Sequence, residues 1–314
     1  MARAVSHADD AEVLHEHTKL SFAVGPYRYL IQSDNKHSLY TVTDGTQTLS
    51  SPLLWAFGTP RVGQSYLFKR EDGHFYEARV TYFDTLKNLD FTPTRALQSP
   101  KDVEEAMDRA VGSAEIGRCF GCHTTASTVG NKFDEENLIL GVTCEACHGP
   151  GAKHVAAMKD FMKGNLDAAK RGDIFNSAHL DPTDSVEFCG ACHGTWWDVK
   201  NSGAHGVATT RSAPYRLVTS KCWGRGDARL TCIACHDPHE PLQTDSTSYD
   251  HACLKCHARA PAQKPTASRP GAACPVAAKD CTSCHMPKVY VPEMHSDFTD
   301  HRIRIARAGE PFPE

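Results

Sequence analysis

The chain has 314 residues, room for one large domain or two smaller ones. Its 34 basic and 38 acidic residues leave a mildly negative balance that argues against a nucleic-acid partner. No apolar run reaches transmembrane length, and cysteine (14) and histidine (18) are both abundant.

Residues 1–95 contain no cysteine and read as a β-rich N-terminal domain. Strands are expected at 20–24 and 27–32. Ser38-Leu-Tyr-Thr-Val-Thr43 alternates polar and apolar residues and runs into the turn pair Asp44-Gly45. Segments 66–70 and 74–83 flank Glu71-Asp72-Gly73 and read as a hairpin. A small antiparallel sheet or an open barrel is the simplest package. Residues 96–118 read as a linking helix, with Ser99 as N-cap, Pro100 in the first turn and an apolar stripe of Val103, Met107, Ala110 and Ala114.

From residue 119 to 314 a single motif dominates, Cys-x-x-Cys-His in six copies. The first is Cys119, Cys122 and His123; the second Cys144, Cys147 and His148; the third Cys189, Cys192 and His193. The fourth is Cys232, Cys235 and His236; the fifth Cys253, Cys256 and His257; the sixth Cys281, Cys284 and His285. Composition alone would yield roughly 0.04 copies. Two cysteines three apart share one face of a helical turn, where both can form thioethers with one porphyrin while the adjacent histidine takes the iron from below. A zinc site pools four ligands per metal and gives no reason for a histidine after every pair. A redox dithiol needs one motif, not six. The expected cofactors are therefore six covalently attached haem c groups. Six haems share the 183 residues from Cys119 to His301, too few for an ordinary side-chain core, so the porphyrins must serve as the core. Regular structure should be sparse, with short helices around each motif and at about 153–163.

Second axial ligands decide whether the irons are closed. Seven histidines outside the motifs lie beyond Cys147, and six are needed. His154, His239 and His301 rank first, then His295, His205 and His251, with His179, His15 and His17 behind. His154, His239 and His251 sit too near one motif in sequence to close that motif's own haem, so they are expected to serve neighbours. Met286 directly follows His285 and cannot cross its own haem. Met158 and Met162 share a helical face and read as packing. Cys222 and Cys274, the two cysteines outside the motifs, are expected to pair as a disulfide in an oxidising compartment.

The strings Cys144-Glu-Ala-Cys-His-Gly-Pro-Gly151 with His154, Cys232-Ile-Ala-Cys-His-Asp-Pro-His239, Cys281-Thr-Ser-Cys-His-Met-Pro287 and Phe298-Thr-Asp-His-Arg-Ile303 resemble those of bacterial multihaem c-type cytochromes. The resemblance is good over 119–305 and weaker before it. It implies that His154, His239 and His301 are distal ligands. It extends distantly to the pentahaem nitrite reductases and octahaem hydroxylamine oxidoreductases. Those reductases often carry Cys-x-x-Cys-Lys at the active haem, and no such motif occurs here. The likeness also implies an additional haem motif upstream of a segment like Met1-Ala-Arg-Ala. A cytochrome of this kind is exported, so a precursor with a signal peptide is expected to begin before Met1.

The leading expectation is an electron-transfer protein, periplasmic or extracellular, with six bis-histidine haems and redox proteins as partners. The alternatives are a reductase of a small nitrogen or sulfur oxyanion at one open haem, and a self-assembling subunit of an extracellular cytochrome filament. The expected fold class is mixed: a small antiparallel β-rich domain, then a largely irregular, short-helix multihaem region.

Overall fold

The structure is a computed structural model describing residues 1, 3–34, 36–93, 99–130, 132–172, 174–223, 230–257 and 274–313. Residues 96–98 of the expected linking helix lie outside the described residues. The chain divides into two compact units. One is Met1–Phe175 with Pro292–Ser296, the other Asn176–Val291 with Asp297–Glu314.

The first unit opens with β1 (Val5–His7) and a short helix α1 (Glu12–Glu16). Strands β2 (Lys19–Val24), β3 (Tyr27–Ser33), β4 (Ser38–Thr43) and β5 (Thr48–Pro52) form a four-stranded antiparallel meander. The alternation in sequence sets its faces: Tyr29, Ile31, Tyr40 and Val42 point inward and are fully buried. The β4–β5 turn is held by the Asp44 carboxylate, which accepts from the amides of Thr46 (2.8 Å) and Gln47 (2.7 Å).

Strands β6 (Trp55–Thr59), β7 (Gly63–Lys69), β8 (Phe75–Phe83), β9 (Asn88–Phe91) and β10 (Asp108–Val111) build a second antiparallel sheet in the order β1-β6-β7-β8-β10. β9 and β10 share one edge of β8, β9 on Val80–Phe83 and β10 on Phe75–Ala78. Ala56, Tyr66, Phe68, Ala78, Val80 and Tyr82 from this sheet meet the inner face of the meander, joined by Val103, Ala106 and Met107 of α2 (Val103–Met107). The package is two stacked sheets, not an open barrel, because neither strand path closes on itself.

The expected helix from Ser99 is also corrected. α2 starts at Val103 with Asp102, not Ser99, as N-cap; the Glu105 amide donates to its side chain at 2.9 Å. The helix stops at Met107 because the next residues pair with β8, where Arg70 clamps the Asp108 carboxylate at 3.0 and 2.6 Å and Arg109 reaches Glu77 at 2.8 Å. The helical stripe therefore ends early, and Ala110 and Ala114 are exposed. A new helix, α3 (Ser113–His123), carries the first motif.

Beyond α3 come α4 (Cys144–His148), α5 (Ala152–Met162), α6 (Pro182–His193), α7 (Trp196–Ser202), α8 (Ala213–Val218), α9 (Asp250–His257) and α10 (Cys281–His285). No helix among the described residues is long and apolar enough to cross a membrane. Core density changes sharply at Phe120. Among the described residues, 28 buried apolar residues lie up to that point and seven beyond it. Of 18 exposed large apolar residues, 12 lie beyond residue 150. A polypeptide that folds on its own side chains buries them, so the later part of the chain is built around something else.

Candidate functional site

Five motifs end α3, α4, α6, α9 and α10, and the fourth sits on a single turn at Cys232–Ala234. α3 is anchored by Phe120, which is fully buried in an aromatic nest of Trp55 (5.3 Å between ring centres), Phe57 (4.9 Å) and Phe133 (4.7 Å). Burying one such ring contributes about 1.5–3 kcal/mol. This fixes His123, whose ring meets Phe57 edge-on at 5.2 Å and whose Nδ1 donates to the Ala4 carbonyl at 2.7 Å. Burial, aided by Glu115 and Glu77, pushes the Cys119 thiol up to about 11, against any role as a reactive thiolate.

The two cysteines of a motif are not always equally buried. Cys119 with Cys122, Cys232 with Cys235, and Cys253 with Cys256 are half-buried together. In the third and sixth motifs the second thiol is the exposed one: Cys192 is exposed beside half-buried Cys189, and Cys284 beside half-buried Cys281. In the second motif the order reverses, with Cys144 exposed and Cys147 half-buried. At 3.6 residues per turn, positions three apart are offset by about 60° around the helix axis, so one can face solvent while the other faces the chain. Among the described residues no three of His, Cys, Asp or Glu gather as ligands to a single ion. A haem iron takes only two ligands from the chain, so a haem site needs no such cluster.

In α4, His148 Nδ1 donates to the Phe175 carbonyl at 2.7 Å. The helix stops at Gly149 (φ +72°), and the Gly151 amide turns back to the Glu145 carboxylate at 2.7 Å. α5 follows, and His154 Nδ1 donates to the Gly172 carbonyl. A side chain at residue 172 would meet Ala157 at 2.8 Å and Met158 at 2.9 Å, so glycine is what permits that approach. His154, Val155, Met158, Lys159, Met162 and Lys163 line a cavity of about 500 Å³, an apolar wall with two lysines. Met162, expected to pack, is 82% exposed there.

In the second unit, α6 is capped by Asp181, which accepts from the Asp184 amide at 3.0 Å. Cys189 of the third motif and Cys232 of the fourth share a hydrogen bond, which pushes Cys232 up and Cys189 down. Cys253 and Cys281 of the fifth and sixth motifs make a similar contact. Asp250, at the start of α9, accepts from the amides of Asp280 (2.6 Å) and Cys281 (2.8 Å), so the fifth motif's helix caps the sixth's. His285 Nδ1 donates to the Arg304 carbonyl at 2.9 Å, and Arg304 N returns a bond to the His285 carbonyl at 3.1 Å.

His301 is brought to the fourth motif. Its ring centre lies 6.2 Å from that of His236, with the planes 36° apart. A metal held between two imidazoles by bonds of about 2.0 Å separates their ring centres by roughly 6 Å. Burial holds both rings below the usual histidine range, in the neutral form that ligates metals. His301 Nδ1 donates to the Thr299 carbonyl at 3.0 Å.

A backbone carbonyl only accepts, so each ring bonded to one through Nδ1 carries its proton there and presents Nε2 as a lone pair. His123, His148 and His285 of the motifs meet this requirement, as do His154, His251 (to Ser248 O, 2.8 Å) and His301 among the others. That is how metal-binding histidines are oriented. Three candidates instead engage Nε2: His295 with Asp90 (3.0 Å), His15 with Asp9 O (2.6 Å) and His17 with Tyr82 (3.2 Å). His239 is exposed with Nδ1 3.3 Å from Asp237, and His205 begins the turn Gly206–Arg211 as an exposed cap. The residues present thus fit covalently held porphyrins: paired thiols open to a ligand, oriented imidazoles and bare apolar faces.

Comparison with known proteins agrees. The family described as cytochrome c554 and c-prime matches residues 82–149, which hold the first two motifs. The multiheme cytochrome MtrA of Shewanella baltica is 25% identical over 204 residues, covering 52% of this chain and 60% of that protein. Both findings support a bacterial multihaem c-type cytochrome. It spans 60% of the length of the curated relative it matches. No solved structure matches the cytochrome.

Cys222 and Cys274, the pair expected to bridge, are both half-buried. Sequence reasoning missed Asp250, Asp300 and Arg216. Asp250 had a local signal, an acidic residue three before a motif. A fully buried arginine such as Arg216 leaves no pattern in sequence.

Proposed function

We propose that the cytochrome relays electrons through six covalently attached haem c groups whose irons are closed by histidines, as an exported periplasmic or extracellular protein serving redox partner proteins. Bound haem supplies reversible one-electron chemistry. The chain's part is to hold each group and fix its ligands. Pairs of thiols anchor each group, carbonyls of Ala4, Phe175 and Arg304 orient the motif histidines His123, His148 and His285, and His154, His251 and His301 present Nε2 from outside the motifs. The observation that supports this reading is the 6.2 Å separation of the His236 and His301 rings, a spacing that would admit one iron between them. The sulfur contacts between third and fourth and between fifth and sixth motifs support close neighbours, the arrangement rapid transfer needs.

The test is intact mass and carbon monoxide titration of the protein secreted by a host with haem-attachment machinery. Mass should exceed that of the chain by six haems, and the reduced protein should bind no carbon monoxide. A lower haem count would remove a motif from the relay.

A second reading rests on His239, 74% exposed in its side chain beside Asp237. If it closes no iron, one haem is open and the protein reduces a small nitrogen or sulfur oxyanion there. Carbon monoxide bound at a stoichiometry of one per chain, together with turnover of such an anion, selects this reading over the first.

A further inference from the structure

In the second unit one buried carboxylate is shared by two arginines. Arg216 is fully buried and directs Nε and Nη2 to the two oxygens of Asp300, at 2.8 and 3.0 Å, and Nη1 to the Pro313 carbonyl at 2.9 Å. Its guanidinium also lies over the Phe312 ring at 4.4 Å. Asp300, likewise fully buried, is shared with a second cation: Arg304 Nη1 donates to it at 2.6 Å and reaches the Arg302 carbonyl at 3.3 Å. Two guanidiniums therefore divide one carboxylate. Arg304 is 85% buried by side chain, and its Nε–H is buried with no acceptor among the described residues. A buried N–H without an acceptor carries the full desolvation cost of an unmade hydrogen bond, and folded proteins seldom leave one so.

The missing partner is an anion, and position says which. The Arg304 backbone is bonded in both directions to His285 of the sixth motif, and residue 304 lies three beyond His301, which faces His236 of the fourth. Haem carries two propionates, and a guanidinium is the side chain best shaped to hold a carboxylate. We propose that Arg304 is a propionate-binding residue, its Nε–H completing a salt bridge to a propionate of the haem on the sixth or the fourth motif. This rests on the haem-relay reading. Its consequence is functional: a cation fixed on that propionate favours the reduced form of that one haem and sets it apart in the relay.

The experiment compares Arg304→Gln and Arg304→Lys in the haem-loaded protein by spectroelectrochemical titration, with intact mass giving haem content. Arg304→Gln should lower the midpoint potential of one haem and leave the others in place, and Arg304→Lys should stay close to wild type. The proposal is overturned if every potential in fully loaded Arg304→Gln matches wild type, or if both variants shift alike, as a purely structural role requires. A wild-type chain that carries no haem sinks the relay reading instead. Repeating the pair in a His301→Ala background separates the sources. If the shifted centre is the one that now binds carbon monoxide, the propionate belongs to the fourth motif's haem; if it does not, to the sixth's. Either result upholds the residue's role.

Discussion

Asp300→Asn should be the most damaging single substitution in the second unit, and the asymmetry of its ion cluster says by how much. Asp300 is the one carboxylate between Arg216 and Arg304 and is wholly buried. Neutralising it strands two guanidiniums, and breaking a buried pair by removing one partner costs about 3–5 kcal/mol. Removing Arg216 as Met leaves Asp300 still paired with Arg304 at 2.6 Å and with the Arg302 amide at 3.0 Å, while the unbranched side chain keeps most of the volume. That change should cost about 1–3 kcal/mol, the range for hydrogen bonds to charged groups. The order, Asp300→Asn worse than Arg216→Met, is the sharp part. Because residue 300 precedes His301, the loss should appear as weaker ligation of one iron. Urea titration of the haem-loaded protein, followed by the low-spin Soret band and by tyrosine fluorescence, measures both. A midpoint change equivalent to less than about 1 kcal/mol for Asp300→Asn, or Arg216→Met proving the more harmful, would show that the cluster does not hold this segment.

Three further outcomes are expected. His301→Ala should open one haem to carbon monoxide and leave the rest low-spin, since His236 loses its facing ring; an unchanged carbon monoxide titre means another residue closes that iron. Asp250→Ala strips the cap from α10, orphaning the amides of Asp280 and Cys281, and should cost about 1–2 kcal/mol in urea titration, with the sixth motif's haem the first to lose low-spin character. Asp108 sets a pH dependence in the first unit, because burial, opposed by Arg70, pushes its carboxyl up to about 6. The folded state holds this proton more tightly than the unfolded chain, whose value is 3.8. The group's contribution is therefore fully present below about pH 4 and declines as pH rises through 6, by at most about 3 kcal/mol. Asp108→Asn should flatten that slope relative to wild type between pH 4 and 6; parallel pH profiles would contradict it.

Local chemistry was legible where it was self-contained. The alternation in residues 38–43 and the Asp44 turn place β4 correctly, and 20–24, 27–32 and 74–83 match β2, β3 and β8 within a residue or so. The helix expected from Ser99 failed because its apolar spacing is only local information. What ends α2 is a strand edge 30 residues earlier, together with Arg70 and Glu77, which take Asp108 and Arg109 into the sheet. A helical stripe cannot announce that a better hydrogen-bonding partner lies elsewhere. The open-barrel alternative failed for a related reason, since strand count and alternation leave closure undetermined.

At the haem sites the sequence supplies the donors but not their orientation. Cys-x-x-Cys-His names thiols and one imidazole by spacing alone, because all three lie on one turn. Which thiol of a pair is exposed, Cys192 and Cys284 but not Cys122 or Cys256, depends on how each helix packs and is invisible in the motif. A distal ligand is defined by which ring nitrogen is free, and that depends on acceptors far along the chain: Gly172 for His154, Asp90 for His295. Counting histidines could rank His295 beside His205 and His251, yet it could not see that a carboxylate holds the His295 Nε2. The same logic reaches the buried charges. Arg216 and Asp300 are 84 residues apart, and neither belongs to a motif. The pair satisfies itself; it is the second arginine on that carboxylate, Arg304 with its unpaired Nε–H, that calls for another anion, and a porphyrin propionate supplies it. The side chains that build the two stacked sheets explain themselves by burial; those beyond Phe120 are explained by what they enclose.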